Sequence, residues 1–279
     1  EPIPSDGGRA PTRVVPWGDR VLAVGVGDAP CAHPQGDGMW VRAAGGTWTE
    51  APFDQLFCTG GTFDVAATAA RAVIAGTSTG ETAYVWASDD GLRWTDRSQP
   101  FEGFAPQAVT AVGDGFVAFG RGSTGVWVSV SSDGSSWGSP QVTVPLNDTS
   151  VVAAVTLDGR PLAIVRTTQG QVGLLELADG AWTSRAATGL DANGLVRVVA
   201  TGDGLVALGD RTGGAGAWVS VDGVAWRAIE LPDRLHATGA NVAGAAIDGE
   251  RAAIVGNVPL PDGTSMGSIW TGPSSLLAP

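Results

Sequence analysis

The chain has 279 residues, of which 43% are hydrophobic and 16% charged, so it has enough apolar material for a core and lacks the composition of a disordered protein. Its formal net charge of -12 leaves no basic surface that could displace the counterions of a nucleic acid. No apolar run reaches the about 18 residues that a membrane-spanning helix needs, so no such helix is predicted.

Tryptophan recurs along the chain at a nearly constant period. Trp48, Trp94, Trp137, Trp182 and Trp226 are separated by steps of 46, 43, 45 and 44 residues. Six similar apolar stretches run in phase with them, at 16–25, 67–76, 111–120, 156–165, 200–209 and 246–256. Self-similarity at a fixed period is the signature of a repeat architecture, so the sequence predicts six repeats.

Each repeat has the pattern of four β-strands. A short Ala/Val/Thr strand leads through a two-residue turn, such as Gly113-Asp114 or Asp158-Gly159, into an apolar second strand. After a variable loop comes a third strand, and a turn then leads to a fourth strand that begins at the periodic Trp. The third strands are expected to carry Trp40, Trp86, Trp127, Leu174, Trp218 and Trp270. This pattern predicts an all-β fold, a six-bladed β-propeller of four-stranded antiparallel blades.

We expect one domain over residues 1–279. Its approximate repeats are 12–61, 62–105, 106–149, 150–193, 194–240, and 241–279 together with 1–11. The chain after Trp270 is too short for a full turn and fourth strand, so the N-terminal strand is expected to close the ring as the outer strand of the last blade. The prolines of "EPIP" are acceptable there because an edge strand need not donate every hydrogen bond.

A short peptide precedes the periodic Trp in three repeats: "SDDGLRW" (88–94), "SSDGSSW" (131–137) and "SVDGVAW" (220–226). The Asp is expected to accept hydrogen bonds from turn amides, the Gly to adopt a left-handed conformation, and the Trp to insert between neighbouring blades. A carboxylate site for a metal or for catalysis is the alternative, but recurrence in several repeats favours architecture. The peptide is degraded in "LADGAW" (177–182), and "AAGGTW" (43–48) lacks the Asp. The predicted structural residues are Ser88, Asp90, Gly91, Trp94, Ser131, Asp133, Gly134, Trp137, Asp179, Gly180, Trp182, Ser220, Asp222, Gly223 and Trp226.

This peptide resembles the Asp-box (BNR) repeat of the sialidase-like propeller superfamily, usually spelled Ser-x-Asp-x-Gly-x-Thr-Trp, although here Gly follows Asp directly. The resemblance implies a propeller fold and makes a glycosidase the first enzyme hypothesis. The family's three arginines, Tyr–Glu nucleophile pair and Asp acid/base do not carry over. The only tyrosine, Tyr84, lies in a predicted third strand, and Arg9-Ala10-Pro11 echoes the family's Arg-Ile-Pro motif only faintly. The first-strand stretches are interpreted as small and apolar apart from Arg197.

The longer loops are expected on the face opposite the short turns, and binding residues commonly lie on such loops. Cys31 and Cys58 both fall on this long-loop face, and we predict a disulfide between them. Two free thiols, or a Cys/His metal site using His33, are the alternatives. A disulfide implies an oxidising, extracytoplasmic compartment, where the protein is secreted or lipid-anchored and its leader lies outside this chain. The absence of Lys and the Ala/Val/Gly bias suggest a bacterial source.

The long-loop face also collects polar and aromatic residues. The proposed binding residues are His33, Asp37, Phe57, Phe101, Phe104, Arg211, Arg234 and His236; Glu81, Glu102, Asp148, Asp191 and Asp262 lie on the same face. If the two Phe of "SQPFEGFAP" (98–106) are exposed, they mark a recognition patch; the alternative is that they pack beneath their own loop.

The sequence therefore favours a non-catalytic extracytoplasmic propeller, a monomer unless in a complex, that binds a protein or a glycan on its long-loop face. The alternative is a divergent glycoside hydrolase or lyase that uses loop carboxylates such as Asp37, Asp191 or Asp262. No cofactor and no metal are predicted, and a structural Ca²⁺ in the Asp-rich loop at 27–38 is the alternative.

Overall fold

The computed structural model is all-β and has the fold of a six-bladed β-propeller, as the sequence predicted. It describes residues 10–26, 38–52, 62–77, 83–101, 103–144, 149–190, 195–211, 214–231, 239–248, 251–260 and 265–273. The chain divides into two compact units, Glu1–Asn147 and Asp148–Pro279, and each contains three antiparallel sheets, or blades. Within the described residues, no helix has the length and apolarity needed to cross a membrane.

The first unit contains blades 1 to 3, each with four strands in sequential order. Among the described residues of this unit, one 3-10 turn, Gln99–Phe101, lies between blades 2 and 3. The strands are β1 (Ala10–Trp17), β2 (Arg20–Val26), β3 (Gly38–Ala43) and β4 (Thr49–Glu50) in blade 1; β5 (Thr62–Ala67), β6 (Ala72–Thr77), β7 (Ala83–Ser88) and β8 (Thr95–Asp96) in blade 2; and β9 (Ala105–Val112), β10 (Gly115–Gly122), β11 (Gly125–Ser131) and β12 (Gln141–Val144) in blade 3.

The second unit contains blades 4 to 6, of which blade 6 has three strands among the described residues. The strands are β13 (Thr149–Leu157), β14 (Arg160–Thr167), β15 (Val172–Ala178) and β16 (Ala181–Ala186) in blade 4; β17 (Leu195–Thr201), β18 (Gly204–Arg211), β19 (Gly214–Ser220) and β20 (Arg227–Ile229) in blade 5; and β21 (Asn241–Asp248), β22 (Arg251–Pro259) and β23 (Ser265–Pro273) in blade 6.

The hairpins follow the predicted turn chemistry. Gly113-Asp114 and Asp158-Gly159 form the two-residue turns between the first and second strands of blades 3 and 4. Asp158 and Gly159 have φ of 51° and 72°, the pair of left-handed conformations that a type I′ turn requires.

The N-terminal boundary differs from the prediction. Ala10 and Pro11 pair with Val26 and Gly25 of β2, so they belong to the first strand of blade 1 and not to the last blade. Residues 1–9, the rest of the predicted closing strand, lie outside the described residues.

The hydrophobic cores of each unit lie between successive blades. One cluster joins blades 1 and 2, another joins blades 2 and 3, and two more join blades 4, 5 and 6. All six third strands contain the predicted residue, and Trp40, Trp127, Leu174 and Trp218 are fully buried. Burying one large apolar side chain stabilises the fold by about 3 kcal/mol, so Trp127, Leu174 and Trp218, which belong to these clusters, contribute strongly to holding successive blades together.

Most first strands carry an irregularity at the same place. A register shift interrupts the pairing of β1, β9, β13, β17 and β21 with their second strands, whereas β5 pairs without a shift. A β-bulge bends its strand and changes the direction of the neighbouring side chains. Arg13 of β1, Asp64 of β5 and Arg197 of β17 occupy equivalent register positions, opposite Val24, Ala75 and Leu208.

Candidate functional site

Three turns between third and fourth strands, at 88–94, 131–137 and 220–226, share one hydrogen-bond pattern; we call them the Ser-Asp-Gly turns. In the first, the Ser88 hydroxyl oxygen accepts the N–H of Gly91 at 2.7 Å and donates to Asp90 Oδ1 at 3.2 Å. The same Oδ1 accepts the N–H groups of Leu92 and Arg93, both at 2.8 Å. The other two turns repeat every one of these contacts. The Ser and Asp side chains therefore accept the backbone N–H groups of the turn, which have no backbone carbonyl partner within it.

The indole that ends each Ser-Asp-Gly turn lies in a core between two blades. Trp94, Trp137 and Trp226 are 4%, 9% and 6% exposed. Each indole N–H donates to the carbonyl of its own turn's glycine, at 3.0, 3.3 and 2.8 Å. Trp94 packs with residues of blades 1 and 2, Trp137 with blades 2 and 3, and Trp226 with blades 4 and 5. This confirms the predicted insertion for these three tryptophans.

Glycine is required at the centre of the turn for two reasons. Gly91 has φ of +77°, which L side chains rarely adopt. A Cβ at this position would lie 2.2 Å from Val41 Cγ2 and 3.0 Å from Trp17 Cζ3 of blade 1. The turn of blade 2 therefore packs directly against the preceding blade.

The turn carboxylates are held in their charged form. For Asp90, burial raises the pKa, but the backbone N–H groups of Arg93 and Leu92 together with the Ser88 hydroxyl lower it by more, so the pKa lies below its ordinary value. The same balance, with the N–H groups of Val224 and Ala225, lowers the pKa of Asp222. Asp133 also has a lowered pKa, for which the N–H groups of Ser136 and Ser135 are the main cause. A general acid needs a raised pKa, so these carboxylates are suited to structure.

The two degraded peptides form different turns. Asp179 and Gly180, with φ of 51° and 79°, make a two-residue hairpin in which Ala178 pairs with Ala181. Trp182 is then a strand residue of β16 and is half-buried. Grouping Asp179, Gly180 and Trp182 with the Ser-Asp-Gly residues was therefore wrong, because Leu177-Ala178 offers no hydroxyl to organise the turn.

The turn of blade 1 also departs from the pattern. Trp48 is half-buried, and the guanidinium of Arg42 lies over its ring at 5.4 Å. The fourth strands also differ in where they start. They begin one residue after Trp48, Trp94 and Trp226, but β12 starts only at Gln141.

Arg71 links two Ser-Asp-Gly turns of the first unit. From the turn between β5 and β6, its Nε donates to Asp89 Oδ1 at 2.6 Å, and one terminal nitrogen donates to the Asp133 carbonyl at 2.7 Å and to the Ser135 hydroxyl. The hydrogen bond that Arg71 donates to Asp89 is the main reason that the pKa of Arg71 is raised. Arg20 of blade 1 extends this row, because its terminal nitrogens donate to the Asp89 carbonyl at 3.4 and 3.5 Å while its guanidinium lies 4.1 Å from the Trp17 ring centroid.

A polar cleft of about 220 Å³ lies beside this row. We call it the arginine cleft. It combines three guanidinium groups with the Ser-Asp-Gly turn of blade 2 and with the Ser135 hydroxyl from the turn of blade 3. The lining residues are Arg71, Ala87, Ser88, Asp89, Asp90, Arg93, Thr95, Arg97 and Ser135.

The arginines of this cleft differ in how the protein satisfies them. Arg71 has protein acceptors, whereas no ion pair joins Arg93 or Arg97 to another described residue. Arg97 is half-buried, and its Nε is buried without a hydrogen-bond partner among the described residues. This cleft was not predicted from the sequence because its residues come from three separate stretches, although Arg93 lies within the first turn peptide and Arg97 follows it by three residues.

The first strands of blades 1 and 2 are joined by an ion pair. Arg13 Nε lies 3.9 Å from Asp64 Oδ1, and Asp64 Oδ2 accepts the N–H of Val109 in blade 3 at 3.2 Å. The interpretation of the first strands as apolar apart from Arg197 was therefore wrong. Arg13 lies in β1 and Asp64 in β5, so two first strands carry a charged residue besides Arg197 of β17.

Of the proposed long-loop binding residues, three lie within the described chain. Phe101 is 0% exposed, with its ring centroid 5.6 Å from Trp127 and 5.4 Å from Trp137, so the exposed-patch interpretation is wrong for this residue. Phe104 is half-buried and meets the Trp127 ring edge-on at 5.7 Å. Arg211 is exposed at the end of β18 in the second unit.

The remaining predicted site residues lie outside the described residues. They are His33, Asp37, Phe57, Arg234 and His236, the two cysteines Cys31 and Cys58, and the loop acids Glu81, Glu102, Asp148, Asp191 and Asp262. Where the chain is described, no three His, Cys, Asp or Glu side chains are grouped as a metal site would need.

Comparison with known proteins shows similarity of fold. No protein-family model matches the chain, and no curated protein sequence does. The structure is similar to the BP39L lectin from Burkholderia pseudomallei, with a TM-score of 0.63 and 13% identity, covering 92% of this chain and 78% of that one. It is also similar to the Aleuria aurantia lectin in complex with Fucα1-6GlcNAc, with a TM-score of 0.56, 10% identity and coverage of 92% and 90%. A puromycin hydrolase matches with a TM-score of 0.59 and 14% identity, over 98% of this chain and 53% of that protein.

Proposed function

We propose that this chain is a non-catalytic, glycan-binding propeller that acts outside the cytoplasm. The observation that carries the proposal is the likeness in fold, over 92% of the chain, to two lectins, one of them bound to a fucosylated sugar. A propeller places many loops and turns around a rigid framework, and such loops are common binding positions. We further propose kinship with the Asp-box repeat, which the hydrogen bonds of the Ser-Asp-Gly turns support.

The carboxylates described here support the non-catalytic part of the proposal. Those with a shifted pKa, Asp90, Asp133 and Asp222, all have it lowered, and each accepts two backbone N–H groups. Glycoside hydrolysis usually needs a carboxylic acid with a raised pKa to protonate the leaving group. The described carboxylates of this kind are therefore engaged in holding turns.

The proposal is tested by screening the purified chain on a glycan array and measuring the affinity of each hit by calorimetry. We expect binding of defined glycans without release of sugar from them. Sugar release above the spontaneous rate would contradict the non-catalytic assignment and favour a hydrolase or lyase. Failure to bind any glycan, with capture of a protein partner instead, would contradict the glycan assignment.

One described arginine tests whether the glycan binds on the long-loop face. Arg211→Gln should weaken binding of an array hit, whereas Arg227→Gln, an exposed arginine of the fourth strand in the same blade, should leave it unchanged. If both variants and the unmodified chain bind the glycan with equal affinity, the glycan does not bind at Arg211.

The extracytoplasmic assignment rests on the predicted disulfide between Cys31 and Cys58. Thiol titration of the denatured, unreduced protein from its native source should find no free thiol. Two titratable thiols would contradict both the disulfide and the compartment inferred from it.

A further inference from the structure

The three Ser-Asp-Gly turns provide an internal comparison that separates architecture from other roles. The fifth residue after the serine is Arg93, Ser136 or Ala225, and its backbone N–H reaches the turn carboxylate at 2.8, 2.9 or 3.1 Å. The turn therefore forms with any of these side chains. The ninth residue after the serine is Arg97 in blade 2, Pro140 in blade 3 and Ile229 in blade 5. Formation of a Ser-Asp-Gly turn requires an arginine at neither position, yet blade 2 has one at both.

Both arginines line the arginine cleft, and Arg71 is a third lining arginine. Arg71 is held by Asp89, by the Asp133 carbonyl and by Ser135, so it keeps the two neighbouring turns in place. Arg97 is positioned by its backbone, whose N–H donates to the Val85 carbonyl at 2.7 Å. The cleft is therefore preorganised on strand ends and hydrogen-bonded turns, which lowers the entropic cost of binding.

The charges of the cleft favour an anionic group. Three arginines face two aspartates, and both aspartates are already engaged, Asp89 by Arg71 and Asp90 by the turn amides. Arg93 and Arg97 form no ion pair with another described residue, although the charge of Arg93 helps to lower the pKa of the neighbouring Asp90. A half-buried guanidinium without a protein acceptor is unfavourable, and an anion in the cleft would offset that cost.

We propose that the arginine cleft binds the carboxylate of an acidic sugar, with Arg93 and Arg97 as its ligand-binding residues and Arg71 as a positioning residue. This inference rests on the proposed glycan-binding function. The planar fork of a guanidinium matches the two oxygens of a carboxylate, and the exposed Thr95 beside it offers a hydroxyl to the sugar ring.

The volume of the cleft and the net charge of the chain limit the ligand to one charged sugar residue. The cleft volume of about 220 Å³ is below the roughly 300–1,000 Å³ of sites that enclose drug-sized molecules, so it accommodates one sugar ring. The formal net charge of -12 opposes the approach of a long polyanion, whereas a single carboxylate meets the local field of the cleft.

The test compares three matched ligands by calorimetry on the full chain: methyl β-D-glucuronide, the neutral methyl β-D-glucoside, and its 6-sulfate. We expect the glucuronide to bind at least about tenfold more tightly than the glucoside, because charge-assisted hydrogen bonds are the stronger class. Equal binding of the glucuronide and the glucoside would overturn the inference. Tighter binding of the sulfate than of the glucuronide would overturn the assignment to a carboxylate.

The variants follow the internal comparison. Arg93→Ser copies the residue of the blade 3 turn, so it should fold normally, and it should weaken glucuronide binding about tenfold. Arg97→Gln should do the same. The control is Arg160→Gln, which removes one exposed arginine at the position in blade 4 that corresponds to Arg71 in blade 2, and it should bind as the unmodified chain does. Unchanged binding by the folded Arg93→Ser protein would overturn the inference.

The failure of this inference is distinguishable from failure of the proposed function. A chain that binds neutral glycans on the array but not the glucuronide retains the proposed function and overturns the inference. A chain that binds neither overturns both.

Discussion

Blades 2 and 4 end their third strands in opposite ways. In blade 2, Ser88 and Asp90 accept four backbone N–H groups between them, and the turn delivers Trp94 into the core shared with blade 1. In blade 4, Asp179-Gly180 closes a regular two-residue hairpin that leaves Trp182 half-buried. The Asp-Gly pair is common to both, but blade 4 lacks the serine two residues before the aspartate and has one residue fewer between the glycine and the tryptophan. These two differences accompany the change from a Ser-Asp-Gly turn that buries its indole to a hairpin that does not.

The largest expected effect separates the two tryptophans. Trp94→Ala removes an indole that is 4% exposed and leaves a cavity between blades, so the free energy of unfolding should fall by about 3–5 kcal/mol. Trp182→Ala is the matched control, and it should cost clearly less because that side chain is already in contact with solvent. Urea unfolding measures both. Equal losses of unfolding free energy would show that both tryptophans stabilise the fold equally and would contradict the comparison.

The next effect concerns the glycine of the turn. Gly91→Ala places a Cβ 2.2 Å from Val41 Cγ2 at a φ of +77°, so it should destabilise the fold by about 2–4 kcal/mol, from the left-handed backbone and the overpacking together. Gly45→Ala in blade 1 has a similar φ of +68° but no atom within 4 Å of the new Cβ, so only the backbone cost of about 1–2 kcal/mol remains. The difference between the two variants in urea unfolding isolates the contact with the preceding blade.

The smallest effect is a dependence of stability on pH. Since the pKa of Asp222 is lowered in the folded state, the unfolded chain takes up this proton first as the pH falls. The stability contributed by the charged carboxylate is present above its unfolded pKa of about 3.9, and is lost as the pH falls from there through the lower folded pKa. Asp222→Asn should therefore reduce the slope of unfolding free energy against pH below about pH 4.

The control for that experiment is Asp114→Asn, which removes one exposed carboxylate from a two-residue turn and so accounts for the change in net charge. A slope in Asp222→Asn equal to that of the unmodified chain would contradict the role of the turn amides in setting this pKa.

Much of the fold was readable from the sequence, and the errors had identifiable causes. The strand order, the third-strand tryptophans and the indole insertion of Trp94, Trp137 and Trp226 were predicted from local patterns. The similar appearance of "LADGAW" was misleading, because this peptide lacks the serine hydroxyl and is one residue shorter than the Ser-Asp-Gly peptides. Phe101 was proposed as a surface residue, but packing against Trp127 and Trp137 buries it beneath its own loop.

The sequence by itself determined the number of repeats, the strands of each blade and the three Ser-Asp-Gly turns. The repeats and strands were predicted from the period of the apolar stretches and tryptophans. The turns depend on hydrogen bonds between residues a few positions apart, so they have a fixed local sequence pattern. Only the tertiary structure decided where the arginine cleft and the Arg13–Asp64 pair lie. The cleft brings together separate stretches of blade 2 and Ser135 of blade 3, and the ion pair joins blade 1 to blade 2. These contacts depend on strand pairing and on the packing of one blade on the next, which no short sequence pattern records.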